Sequence, residues 1–143
     1  MARLSRIFFL ATSSLFLVGV TLQVFLAGMV VVALQMGWSY HRDLGHFLAL
    51  PLLVMLITAY LGKLPRRMKW ITWSLFIVYL LQADVLIFMR TSLPLAAAFH
   101  PVLALVDCVL ALVLVHQAWG LVREEQQESK TPYNSEQFDK IGL

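Results

Sequence analysis

The second of four apolar segments in this chain opens with His41-Arg42-Asp43-Leu44-Gly45-His46. Two histidines and a pair of opposite charges therefore stand where a hydrophobic run begins, at a depth in a membrane that water still reaches. Below them the side chains face lipid or protein. His100-Pro101 opens the fourth apolar segment in a matching position. These two openings raise the question of whether they hold a ligand between them.

The hydrophobic content of the chain predicts a membrane protein. Of its 143 residues, 60% are hydrophobic and 13% are charged, whereas a soluble domain carries about a quarter charged residues. Four apolar runs are long enough to span a bilayer and predict helices at about 7–36, 40–62, 70–89 and 95–121. We expect residues 1–121 to form an all-α, antiparallel four-helix transmembrane bundle, and residues 122–143 to form a polar cytoplasmic tail.

The distribution of basic residues predicts the orientation of the bundle. Nine of the 11 basic residues lie before the first run, between the second and third runs, or after the fourth. Only Arg42 and Arg90 lie in the other two connections. Cytoplasmic loops carry the excess of Lys and Arg, so both termini are predicted to be cytoplasmic. The same distribution explains the net charge of +3 without nucleic-acid binding.

Ionisable residues inside the apolar segments are the candidate functional residues, because an ionisable group in hydrocarbon is costly unless it has a partner. They are His41, His46, Asp84 and His100 in the outer half, Asp107 near the middle, and His116 at the inner end. Asp107 follows His100 by seven residues on the same helix face. It is a candidate for a hydrogen bond within the bundle.

Two of the histidines share a depth. His41 precedes Lys63 by 22 residues, and His100 precedes Arg123 by 23. At about 1.5 Å per residue, both lie roughly 33 Å above the inner belt of charges. His46 lies five residues deeper than His41 and about 140° around the helix, so one helix face cannot present both. His41 therefore matches His100 better than His46 does.

Small residues one turn below these histidines leave room for a flat ligand. Gly45 and Ala104 lie at i+4 from His41 and His100, on the same helix faces. Neutral imidazole is a good axial ligand for haem iron, and bundles bind cofactors from facing helices. The pattern is typical of a haem site with His41 and His100 as the metal ligands. The candidate contacts to its propionates at the outer boundary are Arg42 and Arg90.

The residues alone leave other assignments open. His46 competes with His41 as the ligand, since a kink at Pro51 would rotate it inward. A histidine wetted at the interface, with Gly or Ala at an ordinary helix contact, gives the same pattern without a cofactor. Histidine can also ligate the magnesium of chlorophyll. A cofactor-free or chlorophyll-binding structural subunit therefore stands beside the haem protein as an alternative.

Short motifs in the chain resemble those of haem A synthase. His41-Arg42-Asp43-Leu44-Gly45 resembles the His-Arg-x-x-Gly opening of the second helix in each half of that enzyme. Leu80-Leu81-Gln82 with Met89-Arg90-Thr91-Ser92-Leu93 resembles its third helix, and Phe99-His100 with Ala104 resembles the histidine region of its fourth. The similarity extends over about 7–121. The chain also resembles small uncharacterised bacterial four-helix membrane proteins and, more distantly, b561-type cytochromes.

In such units a histidine on helix two and one on helix four ligate one haem, and the resemblance carries these roles to His41 and His100. Trp38 stands where haem A synthase has an acidic residue, and the chain has one four-helix unit, so haem modification and diheme electron transfer are not expected. The resemblance implies a monohaem b-type cytochrome, or a haem-bearing electron-transfer subunit, rather than an enzyme. We expect it in the inner (plasma) membrane of a prokaryote, in contact with lipid and with other membrane subunits of a redox or photosynthetic complex.

Overall fold

The computed structural model describes residues 2–33 and 37–128. Within these ranges lie four helices that are long and apolar enough to cross a membrane. They are α1 (Ala2–Val31), α2 (Ser39–Leu61), α3 (Arg66–Phe88) and α4 (Pro94–Glu128). The described residues contain no strand. The predicted all-α, four-helix membrane architecture is thereby confirmed, and the protein is a multi-pass membrane protein.

The four helices pack in a ring that follows their order in the chain. α1 contacts α2 and α4, and α3 contacts the same two helices. The side chains that meet along the axis are apolar and fully buried: Phe9, Phe16, Leu52, Met55, Leu75 and Leu114. Large apolar side chains also cover the outside of the bundle, as expected for a surface that faces lipid.

A polar contact joins three helices at one end of the bundle. Arg6 near the start of α1 donates from Nε to the carbonyl oxygen of Gly62, 2.9 Å away, at the end of α2. Its guanidinium also pairs with Glu125 near the end of α4. The start of α1 and the end of α4 therefore lie at the same end, opposite His41 and His100. That this end faces the cytoplasm stays a prediction from the charge distribution.

Three local irregularities interrupt the helices near the opposite end. α2 is interrupted at Leu48, three residues before Pro51, and α4 is interrupted at residues 98–99, just before Pro101. Proline has no N–H to donate to the carbonyl four residues earlier, which explains both interruptions. α3 contains a π-helical turn at Leu81–Val85, which has no signature in the sequence pattern.

Several helix ends differ from the expected positions. α1 begins at Ala2 and α3 at Arg66, so basic residues near the membrane surface form the first turns. α4 continues to Glu128, so residues 122–128 are helical rather than part of a tail. Glu and Gln are good helix formers, and the pairing of Glu125 with Arg6 favours this extension. α1 ends at Val31, earlier than the predicted 36, because residues 32–33 are not helical. Residues 34–36 and the rest of the predicted tail, 129–143, lie outside the described residues.

Candidate functional site

The imidazole rings of His41 and His100 face each other across the bundle. Their centroids are 6.1 Å apart and their planes are inclined by 68°. His41 lies in the first turn of α2, and His100 begins the long uninterrupted part of α4. Both side chains are half-buried. The structure thus brings these two histidines to one level, at the end of the bundle opposite Arg6 and Glu125.

A backbone carbonyl holds each ring. Nδ1 of His41 lies 3.1 Å from the carbonyl oxygen of Gln23 on α1, and Nδ1 of His100 lies 3.0 Å from that of Gln82 on α3. A carbonyl oxygen only accepts hydrogen bonds, so Nδ1 carries the proton and donates in both cases. In the neutral form of each ring, Nε2 then keeps its lone pair. This is the form in which imidazole binds a metal.

The two hairpins of the bundle repeat this arrangement. In each of them the glutamine precedes the histidine by 18 residues. Leucine precedes both glutamines, an aromatic residue precedes both histidines, and Gly45 and Ala104 follow them at i+4. Sequence reasoning missed the carbonyl partners, because a backbone group leaves no residue type to recognise. The repeated spacing between glutamine and histidine is the signal that identifies them.

The π-helical turn in α3 explains why the carbonyl of Gln82 is available. In a regular α-helix it would accept the N–H of Leu86, four residues later. Here the N–H of Leu86 bonds to the carbonyl oxygen of Leu81 instead. The oxygen of Gln82 is therefore released from the helix ladder and accepts from His100. π-helical turns are frequently found at functional sites.

Gly45 has two close neighbours below His41. A Cβ atom at this position would lie 2.8 Å from Nε2 of Gln23. The hydroxyl of Tyr79 on α3 donates to the carbonyl oxygen of Gly45, 2.5 Å away. The absence of a side chain at Gly45 therefore has a packing reason within the protein itself. Ala104, the corresponding residue on α4, is half-buried.

Gln82 also links the site to a buried acid. Its side-chain Nε2 donates to Oδ2 of Asp107 at 2.7 Å. Asp107 is 0% exposed and Gln82 is 6% exposed. The backbone of Gln82 therefore contacts His100 while its side chain contacts Asp107.

The other predicted site residues lie outside this pair. His46 is exposed, and its Nδ1 donates to the carbonyl oxygen of Arg42, 2.8 Å away on the same helix. Arg42 pairs with Asp43 at 3.1 Å, and both are exposed. Arg90 is exposed after the end of α3. One residue that was not predicted for the site does contact the pair: Trp38 packs edge-to-face on His41, with ring centroids 5.6 Å apart.

The number of ligands limits which metal the pair suits. Among the residues that the structure describes, no group of three or more His, Cys, Asp or Glu side chains could hold a metal ion. Structural zinc needs four ligands and calcium needs six or more. Two imidazoles on facing helices instead suit a metal whose remaining ligands come from a macrocycle.

Fold and site together define a class: a four-helix multi-pass membrane protein with a paired-histidine site at one end. Over residues 23–89 the chain is similar to a family of unknown function, DUF6220. That stretch begins at Gln23, includes His41 and Gln82, and ends before His100. No curated protein and no solved structure matches the chain.

Proposed function

We propose that this protein is a monohaem b-type membrane cytochrome, or the haem-bearing subunit of a larger redox complex, with His41 and His100 as the axial ligands of one haem b. The observation that carries the proposal is the distance of 6.1 Å between the two ring centroids. Two imidazoles that bind one metal atom from opposite sides each form a metal–nitrogen bond of about 2 Å. With the distance from the nitrogen to the ring centroid added on each side, the two centroids lie about 6 Å apart. The observed centroid distance therefore matches that of two axial imidazoles on one iron.

The carbonyl partners support the same assignment. Ligating histidines usually donate their second ring N–H to a carboxylate, a backbone carbonyl or water, which fixes the ring orientation and raises ligand basicity. Gln23 and Gln82 accept such bonds from His41 and His100. When bound, haem b supplies one-electron iron chemistry. The exposed Arg42 and Arg90 are the candidate partners of its propionates at the outer boundary.

The role in the cell follows from the same features. The described chain is almost entirely helix that could lie within the membrane, which suits electron transport or an accessory role better than enzyme catalysis. The apolar outer surface suits lipid and other membrane subunits. By the charge distribution the site lies on the outer side of a prokaryotic inner membrane. The resemblance to haem A synthase halves and b561-type cytochromes adds to the proposal.

The optical spectrum of the protein tests the proposal. The protein is expressed with ample haem, purified in detergent, and measured reduced with dithionite minus oxidised with ferricyanide. We expect one haem per chain and an α-band of a six-coordinate b-type haem. A purified, folded protein without an α-band would refute the proposal. A pigment extract identifies chlorophyll if that is the bound macrocycle.

A cofactor-free structural subunit is the second candidate, and one observation favours it. The side chain of Gln23 and the hydroxyl of Tyr79 contact Gly45, so the space below His41 is used by the protein's own groups. The edge-to-face contact between His41 and His100 is then a helix contact in its own right. Under this alternative, both histidine-to-alanine variants change stability, and no haem spectrum is present to lose.

A further inference from the structure

A second polar group lies in the bundle interior, below the paired histidines. Asp107 is 0% exposed, and its only ionic or hydrogen-bonding contact within the described residues is with the side chain of Gln82. An ionised carboxylate in hydrocarbon is strongly disfavoured unless a cation or several donors compensate it. Within the part of the chain that the structure describes, this carboxyl has one donor and no cation. It is therefore a candidate site for reversible binding of a proton.

Two buried oxygen atoms also indicate that the ligand is a proton. Oδ1 of Asp107 and Oε1 of Gln82 are both buried without a hydrogen-bond partner among the described residues. They belong to the two members of one hydrogen-bonded pair. A proton on Oδ1 would make that atom a donor, for which Oε1 is an acceptor on the adjoining side chain. Calcium would need at least six oxygen ligands, so a proton is the ligand that two oxygen atoms can accommodate.

Gln82 connects this acid to the paired histidines. Its carbonyl oxygen accepts from His100, and its side-chain amide donates to Asp107. Asp107 follows His100 by seven residues, which is about 10 Å along the helix. At an effective dielectric constant of about 20, a unit charge added at the histidine pair would change the affinity of Asp107 for a proton by roughly tenfold at that distance.

We infer that Asp107 is a proton-binding site coupled to the electron at the histidine pair, an inference that rests on the proposed function. A haem held by His41 and His100 would supply a one-electron couple. When a one-electron donor reduced it, the Asp107 carboxylate would take up one proton from the aqueous side and become the acid. Oxidation returns both the electron and the proton. The added electron favours the bound proton, so the midpoint potential is higher at low pH and falls as pH rises.

The other titratable groups around Asp107 are few. α1 contributes none between Arg6 and residue 33, and α2 contributes none between His46 and Tyr60. Tyr79 on α3 and Cys108 on α4 lie within electrostatic range of Asp107. The other titratable groups toward this end of the bundle include Asp84 on α3, His41 on α2 and His100 on α4. Tyr79 already donates to Gly45, and Asp84 is exposed. Asp107 is the one carboxyl among them that is buried.

Redox titration over pH tests the coupling. The haem-loaded protein is titrated in detergent with dithionite and ferricyanide from about pH 5 to about pH 8, and the midpoint potential is read from the α-band. A tenfold coupling corresponds to a total fall of about 59 mV for one electron. We expect this fall in the wild type and in the control Asp84→Asn, and less than about a quarter of it in Asp107→Asn. A flat wild type, or an unchanged fall in Asp107→Asn, would overturn the inference.

An infrared measurement on the wild type covers the case in which Asp107→Asn does not fold. The reduced-minus-oxidised difference spectrum should contain a carboxylic acid C=O band that shifts in deuterated water. Absence of this band overturns the inference without any variant. A protein that binds no haem refutes the proposed function and this inference together. A haem protein with a potential independent of pH overturns this inference alone.

Discussion

Tyr79 donates its hydroxyl to the carbonyl oxygen of Gly45, 2.5 Å away, and so ties α3 to α2 one turn below His41. Tyr79 is 4% exposed, and its ring also packs edge-to-face on Phe16 of α1, with centroids 6.0 Å apart. Tyr79 therefore joins three helices immediately beneath the paired histidines.

Replacing Tyr79 by Phe keeps the ring and removes only the hydroxyl. We expect Tyr79→Phe to lower the free energy of unfolding by about 1 kcal/mol, the usual contribution of one such hydrogen bond. Tyr40 is 63% exposed, so Tyr40→Phe is the matched control and should leave stability unchanged. Denaturant unfolding in detergent micelles measures both. Equal stability of the two variants would contradict the assigned role of the hydroxyl.

A side chain at Gly45 is expected to collide with Gln23. Gly45→Leu should cost about 1–3 kcal/mol, as overpacking of a well-packed site does. Most of that loss should disappear in a Gln23→Ala background, because the nearest atom to a Cβ at Gly45 is Nε2 of Gln23. Gly28 has open space within 4 Å of such a Cβ, so Gly28→Leu is the control and should cost little.

Gly45→Leu, alone and combined with Gln23→Ala, distinguishes displacement of Gln23 from a direct clash with a bound macrocycle. If Gly45→Leu loses haem and the double variant with Gln23→Ala regains it, displacement of Gln23 was the cause. Loss of haem in both identifies a clash at the site itself. Additive costs of the two substitutions on stability would contradict the contact between Gln23 and Gly45.

The turn after α2 offers a site for stabilisation. Lys63 has a φ of 51° and occupies the position after a helix end where glycine is usual. Its N–H bonds to Tyr60, and that of Leu64 bonds to Ala59, which is the hydrogen-bond pattern of this helix ending. Lys63→Gly should raise the free energy of unfolding by about 1 kcal/mol, because glycine adopts positive φ freely. Lys63→Ala removes the charge but keeps the strain, so a similar gain in that control would exclude this explanation.

The fold could be predicted from sequence because long apolar runs and basic loops are properties of composition. Depth counted from the inner charges also selected His41 and His100, which the structure brings together. The helix ends were less predictable, because Glu125 gains its helical position from pairing with Arg6, a contact that is distant in sequence.

The contacts around the paired histidines could not be predicted from the sequence. Gly45 is flanked by Gln23 and Tyr79, and neither contact follows from helix periodicity. The π-helical turn that releases the carbonyl of Gln82 from the helix ladder has no signature in the residue pattern. Sequence could place Asp107 on the helix face of His100, but its partner depends on how α3 and α4 pack.

The identity of the ligands is tested by replacing each histidine in turn. His41→Ala and His100→Ala should each lower the haem content of the purified protein by at least about tenfold, because even loss of a ligand's supporting hydrogen bond weakens metal binding by that much. His46 is exposed and bonds to its own helix, so His46→Ala should keep a normal spectrum. His116 is exposed on α4 far from the pair and provides the second control. Haem content per chain and the reduced α-band measure all four variants. Loss of haem in His46→Ala with retention in His41→Ala would transfer the ligand role to His46.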